Sequence, residues 1–286
     1  MRPSTKRHPE FNIAADFEYP QHLRDTMHEL PAAPGVYVFH GDSETLPLYI
    51  GKSVNIRNRV LSHLRNEEEA RLLRQTRRIS HIRTAGEVGA LLLEASLIKQ
   101  QQPLYNQKLR RTKQLCSWLL TDHGAQIVYS QDVNFATQKG LYGLFSSKRA
   151  ALESMRVLAD QSRLCYGVIG LEKLIPNKPC FRYMLQQCAG ACCGHEDHAT
   201  HHARLKSSLQ SIQVECWPYP GAIALVERFN DEVQMHVIAQ WCYLGSVHDP
   251  KEAAALVRQA TGFDADGYRI LCRPILGGQA EIIPLW

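Results

Sequence analysis

The chain is predicted to fold as a mixed α/β protein of the α+β kind, with small, mainly antiparallel sheets flanked by helices. Two observations carry that expectation. Short runs of β-branched and aromatic residues, at 36–39 and 48–50, are separated by turn chemistry. Longer stretches place apolar residues three and four apart, the mark of a helix with one buried face. The chain carries no internal repeat and no low-complexity segment.

Residues 1 to 28 have little periodicity and read as an extension. Pro31 and Pro34-Gly35 then punctuate the chain before the strand Val36-Tyr37-Val38-Phe39. His40-Gly41-Asp42-Ser43 supplies a turn and Leu48-Tyr49-Ile50 a second strand, together a hairpin. A helix is expected over 54–64, burying Ile56, Val60, Leu61 and Leu64, with Asn55, Arg59 and His63 on a neighbouring face turned toward the hairpin. A basic helical stretch at 67–78 leads to a strand at 79–84. A strong helix at 87–102, with Val88, Leu91, Leu92, Ala95 and Ile98 inside, stops before Pro103. Strands are expected in pairs around Asp122-His123-Gly124, and an amphipathic helix at 147–161. The last 70 residues read as strand 222–226, strand 235–244, helix 250–259 and strand 268–274.

The composition, 44% hydrophobic and 21% charged, is that of an ordinary globular protein. No apolar run reaches the roughly 18 residues a membrane span needs. The basic start MRPSTKRHPE is followed by no apolar core, so no signal peptide is expected and the cytoplasm is the expected location. Between Gly51 and Lys113 there are 14 Lys and Arg against 5 Asp and Glu, a local +9 in a chain of net +5. Such a segment can neutralise phosphates of a nucleic acid, or simply form a solvated basic face.

Five of the nine cysteines, Cys165, Cys180, Cys188, Cys192 and Cys193, fall within 29 residues, while Cys116, Cys216, Cys242 and Cys272 are scattered. Reducing conditions argue against disulfides. Clustered thiolates can hold either tetrahedral zinc or an iron–sulfur cluster. The spacing Cys165-x14-Cys180-x7-Cys188-x3-Cys192 lacks the close pairs usual in zinc sites and favours the larger cluster. Cys193 is an alternative to Cys192, and His195 a weaker contender. His198 and His202 share a helical face, yet no acid accompanies them, so a solvated helix is expected there.

Around the hairpin the residue types suit phosphodiester hydrolysis. That reaction needs a deprotonated water, neutralised phosphoryl charge and a stabilised leaving oxygen, the last two within reach of one divalent cation on a carboxylate. Arginine donates two hydrogen bonds at once to phosphoryl oxygens. Tyrosine becomes a base only where a nearby cation favours its anion, and Lys52 stands three residues after Tyr49. Glu94 lies among Leu91, Leu92, Leu93 and Leu97, where an unpaired carboxylate is costly; the residues alone leave open a ligand or a partly exposed helix glutamate.

Gly35-Val36-Tyr37, Tyr49-Ile50-Gly51-Lys52, Arg59, Glu94 and Asn106 resemble the GIY-YIG nucleases in order and spacing. "PGVY", "LYIGKSVNIRNRV" and "GALLLEASLIKQQQPLYN" are similar to the amino-terminal nuclease domain of the excision-repair protein UvrC in particular. "LYGLFSSKRAALESM" and the cysteines after it resemble the part of UvrC that follows. The chain leaves no room for UvrC's second nuclease and paired helix-hairpin-helix domain, and so resembles a short UvrC homologue that cuts only on the 3′ side of a lesion. The resemblance divides the chain into an extension (1–28), a GIY-YIG nuclease (29–110), a connecting αβ segment (111–160), a cysteine-rich region (161–204) and a small α/β domain (205–286).

That resemblance implies roles residue by residue. Glu94 would hold one Mg²⁺ or Mn²⁺ at the scissile phosphate, Arg59 a phosphoryl oxygen, and Lys52 would bias a tyrosine toward its anion. Tyr37 and Tyr49 would position and deprotonate water, with the choice between them open, and Asn106 would support the site. His63 stands where UvrC chains usually carry another tyrosine, and can itself act as acid, base or phosphate contact. Cys165, Cys180, Cys188 and Cys192 would hold a [4Fe–4S] cluster, with zinc the alternative. The implied substrate is damaged double-stranded DNA carrying UvrB loaded by UvrA, met by a monomer. A silent DNA-binding adaptor or a redox sensor of that complex is the competing reading. The helical hairpin by which UvrC meets UvrB is not recognisable, since 203–214 is helical but lacks its pattern.

Overall fold

The computed structural model describes residues 20–285, apart from 25, 44, 107–113, 123, 176–177 and 258–261. Most of the expected extension (1–19) and the end of the expected helix at 250–259 lie outside the described residues. The chain divides into two compact units, the first made of 1–111 with 227–234, the second of 112–226 with 235–286. As the sequence predicts, it is a mixed α/β protein with small antiparallel sheets.

In the first unit a one-turn helix α1 (Thr26–Glu29) precedes the hairpin β1 (Gly35–His40) and β2 (Pro47–Ser53). Helix α2 (Ile56–Leu64) starts at Asn55, whose side chain accepts the Asn58 N–H. A 3₁₀ turn at 67–69 and α3 (Ala70–Gln75) lead to β3 (Arg78–Arg83), and α4 (Glu87–Gln101) closes the unit. The sheet order is β2-β1-β3, so β1 is central and β2 an edge. Period-two alternation splits the strands between two cores. Tyr37 and Phe39 face a core with Ile56, Val60, Leu64 and Leu73, while Val36, Val38 and Ile50 meet Ile98 of α4. The end of the expected extension is not loose, because Leu23 and Met27 belong to the first of these cores.

Helix α4 has no cap of its own. Its N-cap, Gly86, offers no side chain, and the first turn is satisfied by a remote residue. The Glu227 carboxylate accepts the N–H of Val88 (3.0 Å) and of Gly89 (2.7 Å). The carboxylate also meets the partial positive charge of the helix N-terminus, which favours an anion. A side chain at Gly86 would collide with that carboxylate. Within the same unit Arg83 pairs with Glu232 at 2.8 Å, and the Gln234 side chain accepts the Ala85 N–H at 3.3 Å. Inside α4, Gly89 and Ala90 take buried positions expected of Val88 and Leu91, alongside Leu92, Ala95 and Ile98.

The second unit opens with β4 (Cys116–Thr121), β5 (Gly124–Tyr129) and β6 (Leu141–Phe145), in the order β5-β4-β6. Helix α5 (Lys148–Gln161), capped by Ser147, packs Ala151, Met155 and Ala159 into one core with Trp118, Leu164, Leu205 and Leu209. The short α6 (Phe181–Met184) and α7 (His198–Leu209) frame the cysteine-rich stretch. A second sheet follows, β7 (Ile223–Phe229), β8 (Glu232–Ala239), β9 (Cys242–Val247) and β10 (Glu281–Pro284), with helices α8 (Pro250–Leu256) and α9 (Ala265–Leu276). Its order is β10-β7-β8-β9.

Two expectations fail here. The strand expected at 235–244 is a hairpin, because Gln240 and Trp241 both adopt positive φ and reverse the chain. Trp241 is fully buried and donates its indole N–H to the Glu215 carbonyl, which holds that turn. The strand expected at 268–274 is helix α9. Asp264 caps it, and Tyr268, Leu271 and Ile275 recur at helical spacing on its buried face, while Pro274 falls near its end.

Replacing Glu227 by alanine removes a two-point cap and is expected to lower stability by about 1 kcal/mol. Urea unfolding followed by circular dichroism measures it; an unchanged midpoint would mean that α4 does not depend on this carboxylate.

Candidate active site and cysteine centre

The edge strand β2 organises the site. An edge exposes N–H and C=O groups that the ladder leaves unpaired. Here two side chains take them. Asn106 accepts the Ile50 N–H through Oδ1 (2.9 Å) and donates Nδ2–H to the Ile50 carbonyl (2.8 Å). Two residues on, the Lys52 N–H donates to Glu94 Oε1 at 3.0 Å. Glu94 is thus fixed to the strand that carries Tyr49. Burial pushes its carboxyl up, against the Lys52 N–H and the Lys52 charge.

The tyrosines meet on the other side of this strand. Tyr37 is opposite Gly51 and Phe39 opposite Tyr49 in the ladder. The Tyr37 and Tyr49 ring centroids are 6.2 Å apart, and His63 lies 5.3 and 5.6 Å from them. A side chain at Gly51 would strike the Tyr37 hydroxyl and the Tyr49 ring. Gly35 has φ +154, and a side chain there would strike the Ile82 carbonyl oxygen. Both glycines of the motif are therefore explained by close approach.

The buried imidazole of His63 joins two partners. Its Nε2 lies 2.7 Å from the Tyr37 hydroxyl, and its Nδ1 bonds Glu69. Burial lowers the His63 pKa in spite of the Glu69 carboxylate. Burial, then Tyr49, drives the Tyr37 hydroxyl far above its ordinary value, and Arg59 beside it works in the opposite direction. Tyr49 is raised by burial and by Glu94, again opposed by Tyr37 and Arg59.

The structure thus brings Tyr37, Tyr49, Arg59, His63, Glu94 and Asn106 around one strand. Lys52 differs from its expected place: its ammonium pairs with Glu87, at 2.5 Å. The cation acting on both phenols is Arg59. Sequence reasoning missed Glu69, which lies six residues past His63 in an acidic triplet with no periodic signal.

In the second unit, one sulfur each from Cys165, Cys180, Cys188 and Cys192 lies within 4.8 Å of all the others. Cys165 and Cys188 are buried, Cys180 and Cys192 half-buried. Burial pushes Cys180 up to about 11, whereas Cys192 is lowered by the hydrogen bonds it receives from Cys180 and neighbouring thiols despite its burial. Cys193 lies outside this set, with its thiol turned to the Gly190 carbonyl, and His195 stacks on Tyr183. The expected solvated histidine helix is solvated only in part. His201 is buried at 2% exposure and accepts the Cys165 N–H at 3.0 Å, while His202 Nε2 reaches the Thr121 carbonyl. Among the described residues no helix is long and apolar enough to cross a membrane.

Strand, helix and side-chain set define a nuclease of the GIY-YIG class. Residues 33–107 match the family model of the UvrC-like GIY-YIG domain, and 105–211 that of the UvrC/Cho excinuclease middle domain. Residues 222–286 match the excinuclease Cho C-terminal domain. The excinuclease Cho of Escherichia coli (strain K12) is 53% identical over 285 residues, covering 100% of this chain and 97% of the relative. The chain belongs to the excinuclease Cho family. UvrABC system protein C of Haloquadratum walsbyi is 32% identical over 198 residues, covering 67% of this chain and 32% of that protein. Among solved structures, the magnesium-bound GIY-YIG endonuclease domain of UvrC from Thermotoga maritima is 35% identical, with a TM-score of 0.27, over 29% of this chain and 94% of that one.

His201 generates a pH prediction. Burial first, then Arg204, His198 and His202, lower its pKa from 6.5 to about 4. The unfolded chain therefore binds the extra proton between those values, so stability is full above 6.5 and falls as pH drops toward 4. Melting temperatures of wild type should fall from pH 7.5 to pH 5, and His201→Gln should flatten that fall; parallel curves would refute it.

Proposed function

We propose that this protein hydrolyses a DNA phosphodiester on the 3′ side of a lesion, acting on damaged double-stranded DNA that holds UvrB loaded by UvrA. The observation that carries the reading is the gathering of Glu94, both tyrosines and Arg59 around one edge strand, β2. Likeness to excinucleases and to a UvrABC system protein supports the repair context.

Glu94 fits a hard divalent cation. Magnesium is commonly bound by one or two carboxylates together with substrate phosphate and water, and Glu94 is a half-buried carboxylate with one oxygen anchored. Bound there, Mg²⁺ or Mn²⁺ supplies charge neutralisation for the phosphoryl group and the leaving oxygen. This chain's residues do the rest. Arg59, exposed at the rim, contacts a phosphoryl oxygen and restrains the phenols. Tyr37 and Tyr49 hold the attacking water, and the hydroxyl of Tyr37 is the one already bonded to a proton acceptor, His63. Asn106 keeps β2 in register under Tyr49 and Gly51. Lys52 acts through its backbone N–H on Glu94 and through its pair with Glu87.

Nicking of a duplex with one defined lesion, in the presence of UvrA, UvrB and Mg²⁺, tests the reading. Glu94→Gln should lose at least 100-fold in rate, on the order of what a positioned catalytic group contributes, while still binding DNA. Equal cutting by wild type and variant would sink the metal assignment, and absence of any cut by wild type would favour the adaptor.

The four cysteines are proposed to hold a metal centre. The UvrC resemblance favours [4Fe–4S]. A specific observation favours the second candidate: with metal–sulfur bonds of about 2.3 Å, a tetrahedral zinc sets its sulfurs about 3.8 Å apart, and the set here lies within 4.8 Å. Anaerobically purified protein decides it by metal content and absorbance. Broad absorption near ~400 nm with iron identifies the cluster, one zinc and no colour the single ion, and Cys188→Ser should lose either.

A further inference from the structure

Glu69 is absorbed by none of the roles above, although it touches the buried His63. We propose that Glu69 is a positioning residue of the nuclease: through His63 it fixes the direction of the Tyr37 hydroxyl bond and makes Tyr37 the water-activating tyrosine. This inference rests on the nuclease reading and refines it.

Geometry comes first. Glu69 Oε2 bonds His63 Nδ1, and Glu69 Oε1 accepts the Asn66 side-chain N–H at 3.2 Å. Asn66 is itself held, since its Oδ1 caps the 3₁₀ turn through the Glu68 N–H. The carboxylate is thus anchored on both oxygens. His63 is 4% exposed and fixed between the Tyr37, Phe39 and Tyr49 rings. Its Nε2 stands 2.7 Å from the Tyr37 hydroxyl.

Protons then follow from donor and acceptor capacity. Burial keeps the His63 imidazole neutral near pH 7, and a neutral imidazole carries one N–H. An ionised carboxylate only accepts, so the proton sits on Nδ1 and Nε2 presents its lone pair. The Tyr37 hydroxyl must then donate to Nε2, which turns the oxygen's lone pairs to the side on which Arg59 already bonds it. A water placed there can give a proton to Tyr37 Oη while the original phenol proton passes to His63 Nε2. One water O–H and one phenol O–H break, a new phenol O–H and an N–H form, and the hydroxide attacks phosphorus as the P–O bond to the leaving oxygen breaks. The proton ends on His63, whose cation faces Glu69. No free phenolate is needed, which matters because Tyr37 is buried so deeply. Tyr49 has no comparable acceptor–carboxylate pair among the bonds found at the described residues.

The test is a double-mutant cycle in single-turnover nicking at saturating protein. Glu69→Gln keeps the size and the Asn66 contact but gives up the charge. It should slow the chemical step about tenfold or more, within the range of general-base assistance, with DNA affinity and melting temperature unchanged. In a His63→Tyr background the same substitution should change nothing further. Wild-type rates for Glu69→Gln, or an equal loss in both backgrounds, overturn the proposal. A second measurement needs no variant fold: ¹⁵N spectra of the wild-type imidazole should show His63 as the Nδ1-protonated tautomer, and the Nε2-protonated form refutes the inference. If wild type makes no cut at all, the nuclease reading has failed, and the tautomer result still judges the Glu69–His63 geometry separately.

Discussion

Everything at this site depends on how the outer edge of β2 is satisfied. A sheet edge must be covered, paired or charged, and here its free groups at Ile50 and Lys52 are taken by Asn106 and Glu94. The arrangement joins fold and chemistry in one set of hydrogen bonds. The amide that finishes the sheet holds both backbone groups of Ile50, the residue next to Tyr49. The carboxylate that finishes it, Glu94, is the group proposed to hold the cation. Neither residue could move without leaving backbone groups of β2 unpaired.

The second element of order is a division by face. Alternation along β1 sends Val36 and Val38 to one core and Tyr37 and Phe39 to the other. The polar tip of Tyr37 would be costly to bury unbonded, and His63 answers that need. A histidine in this place is therefore both core residue and chemical group. Its own second nitrogen then needs a partner, which draws Glu69 in. A chain of hydrogen bonds starting in the core thus ends in a carboxylate 28% exposed.

Much of this was legible in the sequence, and the failures have physical reasons. The hairpin, the helices around 56–64 and 87–101, and the four cysteines stood out because period and spacing are local properties. The roles expected of Tyr37, Tyr49, Arg59, Glu94 and Asn106 came from resemblance, and their gathering around β2 could only be seen folded. Residues 268–274 misled because Tyr, Ile, Leu and Cys fit a strand as well as a buried helix face, and the Asp264 cap was overlooked. Residues 235–244 misled because Gln240 and Trp241 turn without glycine, held by the buried Trp241 indole. Glu69 and Glu227 were invisible, since each matters only through a partner with which it shares no sequence pattern.

The cap on α4 bears on what counts as a module. A cut of the chain at residue 110 would look natural, since residues 33–107 match the UvrC-like GIY-YIG domain. Yet the helix that carries Glu94 begins at a glycine shaped to admit a carboxylate encoded 141 positions later, at Glu227. An excised fragment would keep every residue of the motif and lose the anchor of the helix that carries Glu94. Anyone building a minimal version of this nuclease must restore a local cap at position 86, with serine or aspartate in place of glycine. Catalytic residues and the boundaries that support them are, in this chain, written in different places.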